Sequence, residues 1–360
     1  RQPLITVMME SEVVSVSGYV GQYTSQVRST AGETTEIQHG VILVASGGQE
    51  IEPKSYAYGQ IPGVMTQHDL EERIDEIIPA DGQAGAVVMI QCVGSRDKEH
   101  PYCSRVCCTQ AIKNALEIKK RSPATPVTIL YRDIRSYGFR EKLYRQAREA
   151  GVLFLEFDAD TPPQVSSTAD LPGGGLQVKV LVQPDGEEVT LRCSNVILSA
   201  GIEAEPGNET LSRLLKLPLT AEGFFLEAHV KLRPVDFAAD GIFLCGLAHS
   251  PRALEETIAQ AQAASIRAVT LLAKKQLTAT PIIAQVNQRL CSACGICVEV
   301  CPYNARRIEP GSKYAEVVEV LCQGCGACVA ACPNKASQQR GFEFLQISSM
   351  MDAALAEIKV

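Results

Sequence analysis

AVVMIQCVGSRDKEHPYCSRVCCTQAIK, residues 86–113, is the stretch on which the reading of the whole chain turns. It opens as a short apolar run, Ala86 to Ile90, bounded by turn formers, and ends in a helical pattern that begins near Cys107. That is strand, loop, helix. In a dinucleotide-binding βαβ unit the loop at this point carries closely spaced glycines, which let the backbone approach a pyrophosphate at the helix N-terminus. Here it carries Cys92, Cys103, Cys107 and Cys108 instead. Thiolates from a strand end, a loop and a helix start are placed to converge on a metal centre, and soft sulfur ligands favour an iron-sulfur cluster or zinc. The stretch therefore predicts a cluster where a nicotinamide nucleotide would otherwise sit.

Composition sets the frame around it. At 360 residues the chain is long enough for two or three domains, given roughly 100 to 200 residues per domain. Hydrophobic residues make up 46%, ample for packed cores. A net charge of -7, with no basic stripe, argues against a nucleic-acid partner. No apolar run reaches the ~18 residues that span a bilayer, and no signal peptide is present, so a soluble, cytoplasmic protein is expected. Fourteen cysteines in a small secreted domain would read as disulfides; in a chain of this length with CxxC arrays they read as metal ligands in a reducing compartment. The sequence opens at Arg1 in what already reads as β-rich text, so a preceding stretch is expected to have been removed, to lie outside this sequence, or to come from another chain.

In chain order, residues 4–44 alternate apolar and polar around Gly18, Gly21 and Gly32, an antiparallel meander that closes with HGVILVASGG at 39–48. An apolar run ending in small residues suits a buried strand whose end lies against a ligand. Residues 53–81 are linker-like, with prolines at 53, 62 and 79 and an acidic helical piece near 69–77. After the cysteine stretch and its helix come a strand at 127–131, a helix at 140–150 and a strand at 152–157, an alternation that indicates a parallel sheet. A Pro/Gly-rich hairpin region, 161–192, leads into a second apolar strand, NVILSAG at 195–201. GIFLCGLAHSP at 241–251 precedes a long helix at about 254–274, another strand-loop-helix whose helix N-terminus points free N–H groups at the turn. The buried-strand cysteines Cys193 and Cys245 read as core residues. His100 and His249 are weaker candidates for a cluster and a cofactor role.

Residues 281–340 are different. Cys291, Cys294, Cys297 and Cys301-Pro302 are followed 31 residues later by Cys322, Cys325, Cys328 and Cys332-Pro333. In this bacterial ferredoxin spacing the fourth cysteine of each run ligates the other cluster. One cluster is thus expected on Cys291, Cys294, Cys297 and Cys332, and the second on Cys322, Cys325, Cys328 and Cys301; a pair of zinc sites is the alternative. Gly295, Gly324 and Gly326 let the backbone wrap closely around them. The tail places Ile347, Met350, Met351, Ala354, Leu355 and Ile358 at helical spacing, an apolar stripe expected to dock on its own protein.

VILVASGG, the 86–113 unit, NVILSAG and GIFLCGLAHSP fall in the order found in the two-domain flavin-binding fold of thioredoxin reductases, and the chain from about Pro3 to Leu355 resembles the heterodisulfide reductase A-subunit family. QCVGSRDKEHPYCSRVCC is the most specific element. The resemblance implies an α/β, thioredoxin-reductase-like two-domain flavoprotein fold, incomplete at the N-terminus, plus a C-terminal α+β bacterial-type 2x[4Fe-4S] ferredoxin domain. Its expected parts are 1–80 and 206–280 for the FAD-binding domain, 81–205 for an inserted NAD-domain-like unit with a 4Fe-4S cluster, 281–340 for the ferredoxin domain and 341–360 for a helix. It implies FAD and three [4Fe-4S] clusters. It further implies an oxidoreductase component that passes electrons between a partner dehydrogenase or hydrogenase, FAD, ferredoxin and a disulfide-reducing module, by flavin-based electron bifurcation. Carried over, the non-standard cluster falls on Cys92, Cys103, Cys107 and Cys108, the flavin edge on Ser46, Gly47, Gly48, Gly246, Leu247 and Ala248, and a flavin-facing cation on Lys113. Where thioredoxin reductases have Gly-Asp, this chain has Gly246-Leu247, which removes one polar flavin contact. No GxGxxG is present for the ADP half of FAD, so another segment or chain is expected to supply it. A non-bifurcating relay component, for example in a quinone-linked complex, is the alternative. An NAD(P)H-oxidising flavoprotein of the glutamate synthase small-subunit type is disfavoured by the same missing motif.

Overall fold

The computed structural model describes residues 2–78, 85–168, 175–277 and 282–356; Pro79, Asp81 and Ile358, named above, lie outside them. The first part is an antiparallel meander of β1 (Ser11–Tyr19), β2 (Gln22–Ser29) and β3 (Thr34–His39). It runs into β4 (Ile42–Val44), then β5 (Gly48–Glu50) and β6 (Val64–Thr66). A capping box starts α1 (Gln67–Ile77): the Asp69 N–H donates to the Thr66 hydroxyl at 3.1 Å and the Thr66 N–H to the Asp69 carboxylate at 2.8 Å.

β7 (Val87–Val93) is the centre of a five-stranded parallel sheet. Next come α2 (Cys107–Arg121), β8 (Val127–Tyr131), α3 (Glu141–Glu149) and β9 (Leu153–Glu156). A small antiparallel sheet of β10 (Gln164–Thr168), β11 (Gly175–Val182) and β12 (Glu187–Cys193) intervenes, and β13 (Asn195–Ala200) returns to the parallel sheet, giving the order β6-β13-β7-β8-β9. Alternate side chains of β7 explain why its run is apolar throughout. Val87 and Met89 pack with Ala111, Ile112, Ala115 and Ile118 of α2, while Val88 and Ile90 pack with Leu176, Val178 and Val180 of β11. A sheet covered on both faces needs apolar residues on both. Cys193 closes the second core, and burial alone pushes its thiol up to about 12.

β14 (Ile202–Ala204) follows β13 directly and pairs antiparallel with β5. Gly201, between them, lies against Gly94 and Ser95, where a Cβ would press on the Gly94 carbonyl oxygen at 2.9 Å. The chain then forms α4 (Asn208–Leu215), β15 (Ile242–Leu244) and α5 (Leu254–Leu272). β15 pairs in parallel with β4 in a two-stranded sheet. The expected buried strand at 41–44 is therefore covered on one side only, and Leu43 is 40% exposed. α5 turns its small residues inward, Ala264 and Ala268 lying against Phe243 and Cys245, and exposes Leu254, Ile258, Ile266, Val269 and Leu272.

The last module pairs β16 (Ala284–Val286) with β19 (Ser337–Gln339) and β17 (Arg306–Arg307) with β18 (Glu316–Val317), and carries the one-turn helices α6 (Ile296–Glu299) and α7 (Ala327–Ala330). It meets the rest of the chain through the loop after Cys301. Lys216 Nζ donates to the Cys301 carbonyl at 3.5 Å and to the Asn304 side chain, and Pro302, Tyr303 and Asn304 share a cavity with Val20, Tyr23 and Lys216. α8 (Phe344–Ala356) is helical as its spacing predicts, but none of its residues is buried. Ile347, Met350, Met351 and Leu355 are exposed, so the expected docking of this stripe is not what the structure has.

Candidate metal centres

The cysteine loop is built by a break in the sheet. Ile90 lies opposite Leu198 and Val93 opposite Ala200, so β7 carries one residue more than β13 over this interval. This bulge puts Cys92 at φ +61, a left-handed conformation that re-aims its side chain out of the strand alternation. The loop then returns to α2, which begins at Cys107 and Cys108, both buried, with no side chain capping its N-terminus. The uncapped first-turn N–H groups and the helix dipole favour thiolate at these two positions.

The four sulfurs share one electrostatic environment. Cys107 lies within reach of Cys108, Cys92 and Cys103, and its thiol donates to Cys108. That bond, with the Arg135 backbone N–H, brings Cys108 down to about 7 against its burial and holds Cys107 well up. Burial raises Cys92, with Arg96 and Arg132 opposing. The Arg96 guanidinium donates to Cys92 Sγ at 3.9 Å, the Arg105 N–H to Cys103 Sγ at 3.3 Å, and the Arg135 side chain reaches Cys103. Arginines and backbone N–H groups around gathered thiols are a second shell suited to an anionic cluster. This shell was not legible in the sequence, because Arg96, Arg105, Arg132 and Arg135 follow no spacing. His100 Nε2 lies 3.7 Å from the Glu203 carboxylate.

The loop is fastened to the rest of the chain at both ends. Ser104 Oγ accepts from the Ile202 N–H at 2.8 Å, and the Tyr102 hydroxyl donates to the Ile202 carbonyl at 3.0 Å. Arg105 donates to Glu256 at 2.6 Å and to the Pro251 carbonyl at 3.5 Å, beside the turn at 246–248. That turn meets the start of β5: a Cβ on Gly48 would lie 3.5 Å from Leu247 Cβ. Ser46 Oγ donates to Asn208 Oδ1 at 2.6 Å, and Gly47 and Gly246 hold φ of +88 and +71. The six residues assigned to a flavin edge are thus gathered at one place. Lys113 lies apart from them in an ion pair with Glu71 at 2.9 Å, its side chain 60% exposed.

A chain of bonds fixes the turn. The Gly246 N–H donates to Gln260 Oε1 at 2.9 Å, which leaves Gln260 Nε2 to donate to His249 Nδ1 at 2.9 Å, so His249 carries its proton on Nε2 and donates to Glu227 at 2.8 Å. Burial holds the His249 pKa below its usual value, with Glu227 opposing. Between the folded and unfolded pKa values the unfolded chain binds the extra proton. His249 therefore lowers stability as pH falls below about 6.5, where the free imidazole charges, and is silent above it. His249→Gln is expected to flatten that part of a plot of thermal midpoint against pH; an unchanged slope would place the effect elsewhere.

The last module holds two cavities, of about 350 and 360 Å³ counting space open to solvent. Cys301, Cys322, Cys325 and Cys328 line the first and Cys291, Cys294, Cys297 and Cys332 the second, the same crossed partition as in the sequence. Backbone N–H groups of Ala284, Ala305, Ala315 and Ser337 donate to Cys322, Cys301, Cys291 and Cys332 at 3.2 to 3.5 Å. Among the described residues no three Cys, His, Asp or Glu side chains close on a point as ligands of a single ion do; the sulfurs stand around a space. Arg306 lines both cavities, buried, with its Nε and Nη1 unpartnered. Cysteine cages beside a buried cation seeking acceptors fit an anionic metal-thiolate centre.

Residues 290–336 match the 4Fe-4S dicluster domain family. The chain is 39% identical over 341 residues to the A-subunit of the H(2):CoB-CoM heterodisulfide,ferredoxin reductase of Methanothermobacter marburgensis, covering 90% of this chain and 50% of that protein. The iron-sulfur A-subunit of the CoB-CoM heterodisulfide reductase of Methanocaldococcus jannaschii is likewise 39% identical over 341 residues, 90% and 51% of the two chains. The chain is a homologue of the heterodisulfide reductase A-subunits. It spans about half the length of the A-subunit relatives it matches. Thioredoxin reductase of Lactococcus lactis aligns with this A-subunit homologue over 73% of this chain and 75% of its own, at 16% identity and a TM-score of 0.44. No helix among the described residues is long and apolar enough to cross a membrane.

Proposed function

We propose that this A-subunit homologue is the flavin- and cluster-bearing oxidoreductase component of a cytoplasmic heterodisulfide-reductase-type complex. It passes electrons between an input dehydrogenase or hydrogenase, ferredoxin and a disulfide-reducing module, and its flavin bifurcates an electron pair. One observation carries the reading: Cys92, Cys103, Cys107 and Cys108 gather in a loop that Arg105 ties to the helix behind the 246–248 turn. A metal cage is thereby bolted to a flavin edge, with no GxGxxG for a nicotinamide in between.

The loop cysteines would hold one [4Fe-4S] cluster, Cys291, Cys294, Cys297 and Cys332 a second, and Cys301, Cys322, Cys325 and Cys328 a third. Ser46, Gly47, Gly48, Gly246, Leu247 and Ala248 would line the isoalloxazine side of FAD. FAD supplies exchange between paired and single electrons. Lys113, which the resemblance would put at the flavin, pairs instead with Glu71 at 2.9 Å and is mostly exposed, so no role at the flavin is assigned to it. The ADP half needs a phosphate cradle, which sequence outside this chain or another protein of the complex would provide. The cluster-bearing inserted domain of this reading begins before the expected boundary at 80, because β6 and α1 share the sheet and core of β7 and α2; it comprises 64–78 with 85–205, and the meander with 206–277 forms the flavin domain.

Metal and flavin analysis of the purified protein tests it. About twelve irons and one FAD per chain are expected from three four-iron clusters. About eight irons would remove the loop cluster and leave an ordinary dicluster protein. Steady reduction of the isolated chain by NADH would overturn the assignment of electron entry to a protein partner.

A further inference from the structure

The repeat of 31 residues pairs Arg306 of β17 with Ser337 of β19, each following its Cys-Pro by the same interval. The two meet: Arg306 Nη2 donates to Ser337 Oγ at 2.6 Å. That is its one protein partner among the described residues, since Nε and Nη1 have none and the residue is 3% exposed. Its surroundings are the alanines and cysteines of the module core. The next residue, Arg307, is by contrast exposed and paired with Glu309 and Glu316. A guanidinium does not shed its charge, and burying it without a counter-ion is heavily penalised. Arg306 borders both cysteine cavities, so two anionic clusters would supply the missing counter-charge from either side.

We infer that Arg306 is the shared counter-charge of the two ferredoxin-type clusters, raising the reduction potential of both. The inference rests on the two-cluster reading of the eight cysteines. Each reduction adds one electron to a cluster and no proton, so a fixed cation nearby in a low-dielectric core favours the reduced form. An electron on one cluster still repels a second on the other, and a cation between them favours each electron separately, so both potentials rise. Two N–H groups without protein acceptors are also free to bond cluster or cysteine sulfur, which acts in the same direction.

The test uses the full chain carrying Arg306→Gln, Arg306→Lys, Ser337→Ala or Arg307→Gln, with iron counted first and the two interacting clusters then followed by EPR during a dithionite titration. Arg306→Gln is expected to lower the one-electron equilibrium constant of at least one of them tenfold or more, equivalent to about 59 mV. Arg306→Lys, which keeps the charge, should show less than half that shift, and Ser337→Ala and Arg307→Gln almost none. Full iron in Arg306→Gln with unmoved potentials overturns the inference, as does an equal shift in Arg306→Lys. If Arg306→Gln fails to hold iron, Arg306→Lys decides: normal iron and near-normal potentials support a role for charge, and loss of iron there too means that Arg306 matters for shape.

Discussion

Cys108→Ala is expected to cost the protein about four of its irons, roughly a third of the total, while both ferredoxin-type clusters stay in place. Cys108 is the second residue of α2, whose buried face, Ala111, Ile112, Ala115 and Ile118, packs in the core beneath the sheet independently of the sulfurs. The helix should therefore survive the loss, with a thermal midpoint lowered by a few degrees at most. Electron exchange between the flavin and a partner should fall to background, because the cage tied to the 246–248 turn is gone. Cys193→Ala is the control. It removes a buried thiol from the core behind β11 and should lower stability by about 1 kcal/mol with iron unchanged. Iron per chain and the visible absorbance of the two variants decide the matter: full iron in Cys108→Ala would mean that the loop cysteines hold no cluster.

Gly324→Ala should empty the cage of Cys301, Cys322, Cys325 and Cys328, lowering iron by about four or more. Gly324 lies between Cys322 and Cys325 at φ +64, and a Cβ there would run into the Ile282 carbonyl oxygen. The left-handed conformation alone costs about 1–2 kcal/mol for a residue with a Cβ. The repeat gives an internal comparison. Ala293, 31 residues earlier, holds φ +52 with its own Cβ in place, so the conformation is tolerable in the first repeat. In the second it coincides with a backbone obstruction that cannot swing away. Gly295→Ala, at φ +86 with nothing within 4 Å of the added atom, should therefore retain its iron. Equal iron in Gly324→Ala and Gly295→Ala would show that the backbone at Ile282 yields.

How much of this was legible beforehand follows from the kind of signal each feature leaves. The helix at Cys107 and the strands at 127–131 and 195–200 were plain, because a sheet buried on both faces demands continuous apolar runs and a packed helix demands its period. The crossed cysteine sets were plain because ligand spacing is local. β10, QVSST, was not: a polar edge strand has neither alternation nor an apolar run to betray it. The bulge at Cys92 was hidden as well, since it exists only in the register between β7 and β13. The half-exposed Leu43 and the bare α8 were misjudged for a shared reason. A stripe in the sequence says that a face is apolar and is silent on whether anything lies against it.

The grip of Lys216 on the loop after Cys301 gives the C-terminal module a polarity. One lobe, bearing Cys301, is moored to the trunk of the molecule, and the lobe around Ser292, Asn334 and Gly295 points outward. In the proposed function the moored lobe would be the inboard station of a wire and the free lobe its outboard terminal. Surface changes near Asn334 should disturb traffic with visiting proteins, whereas changes at Lys216 should disturb only the hand-over within the chain.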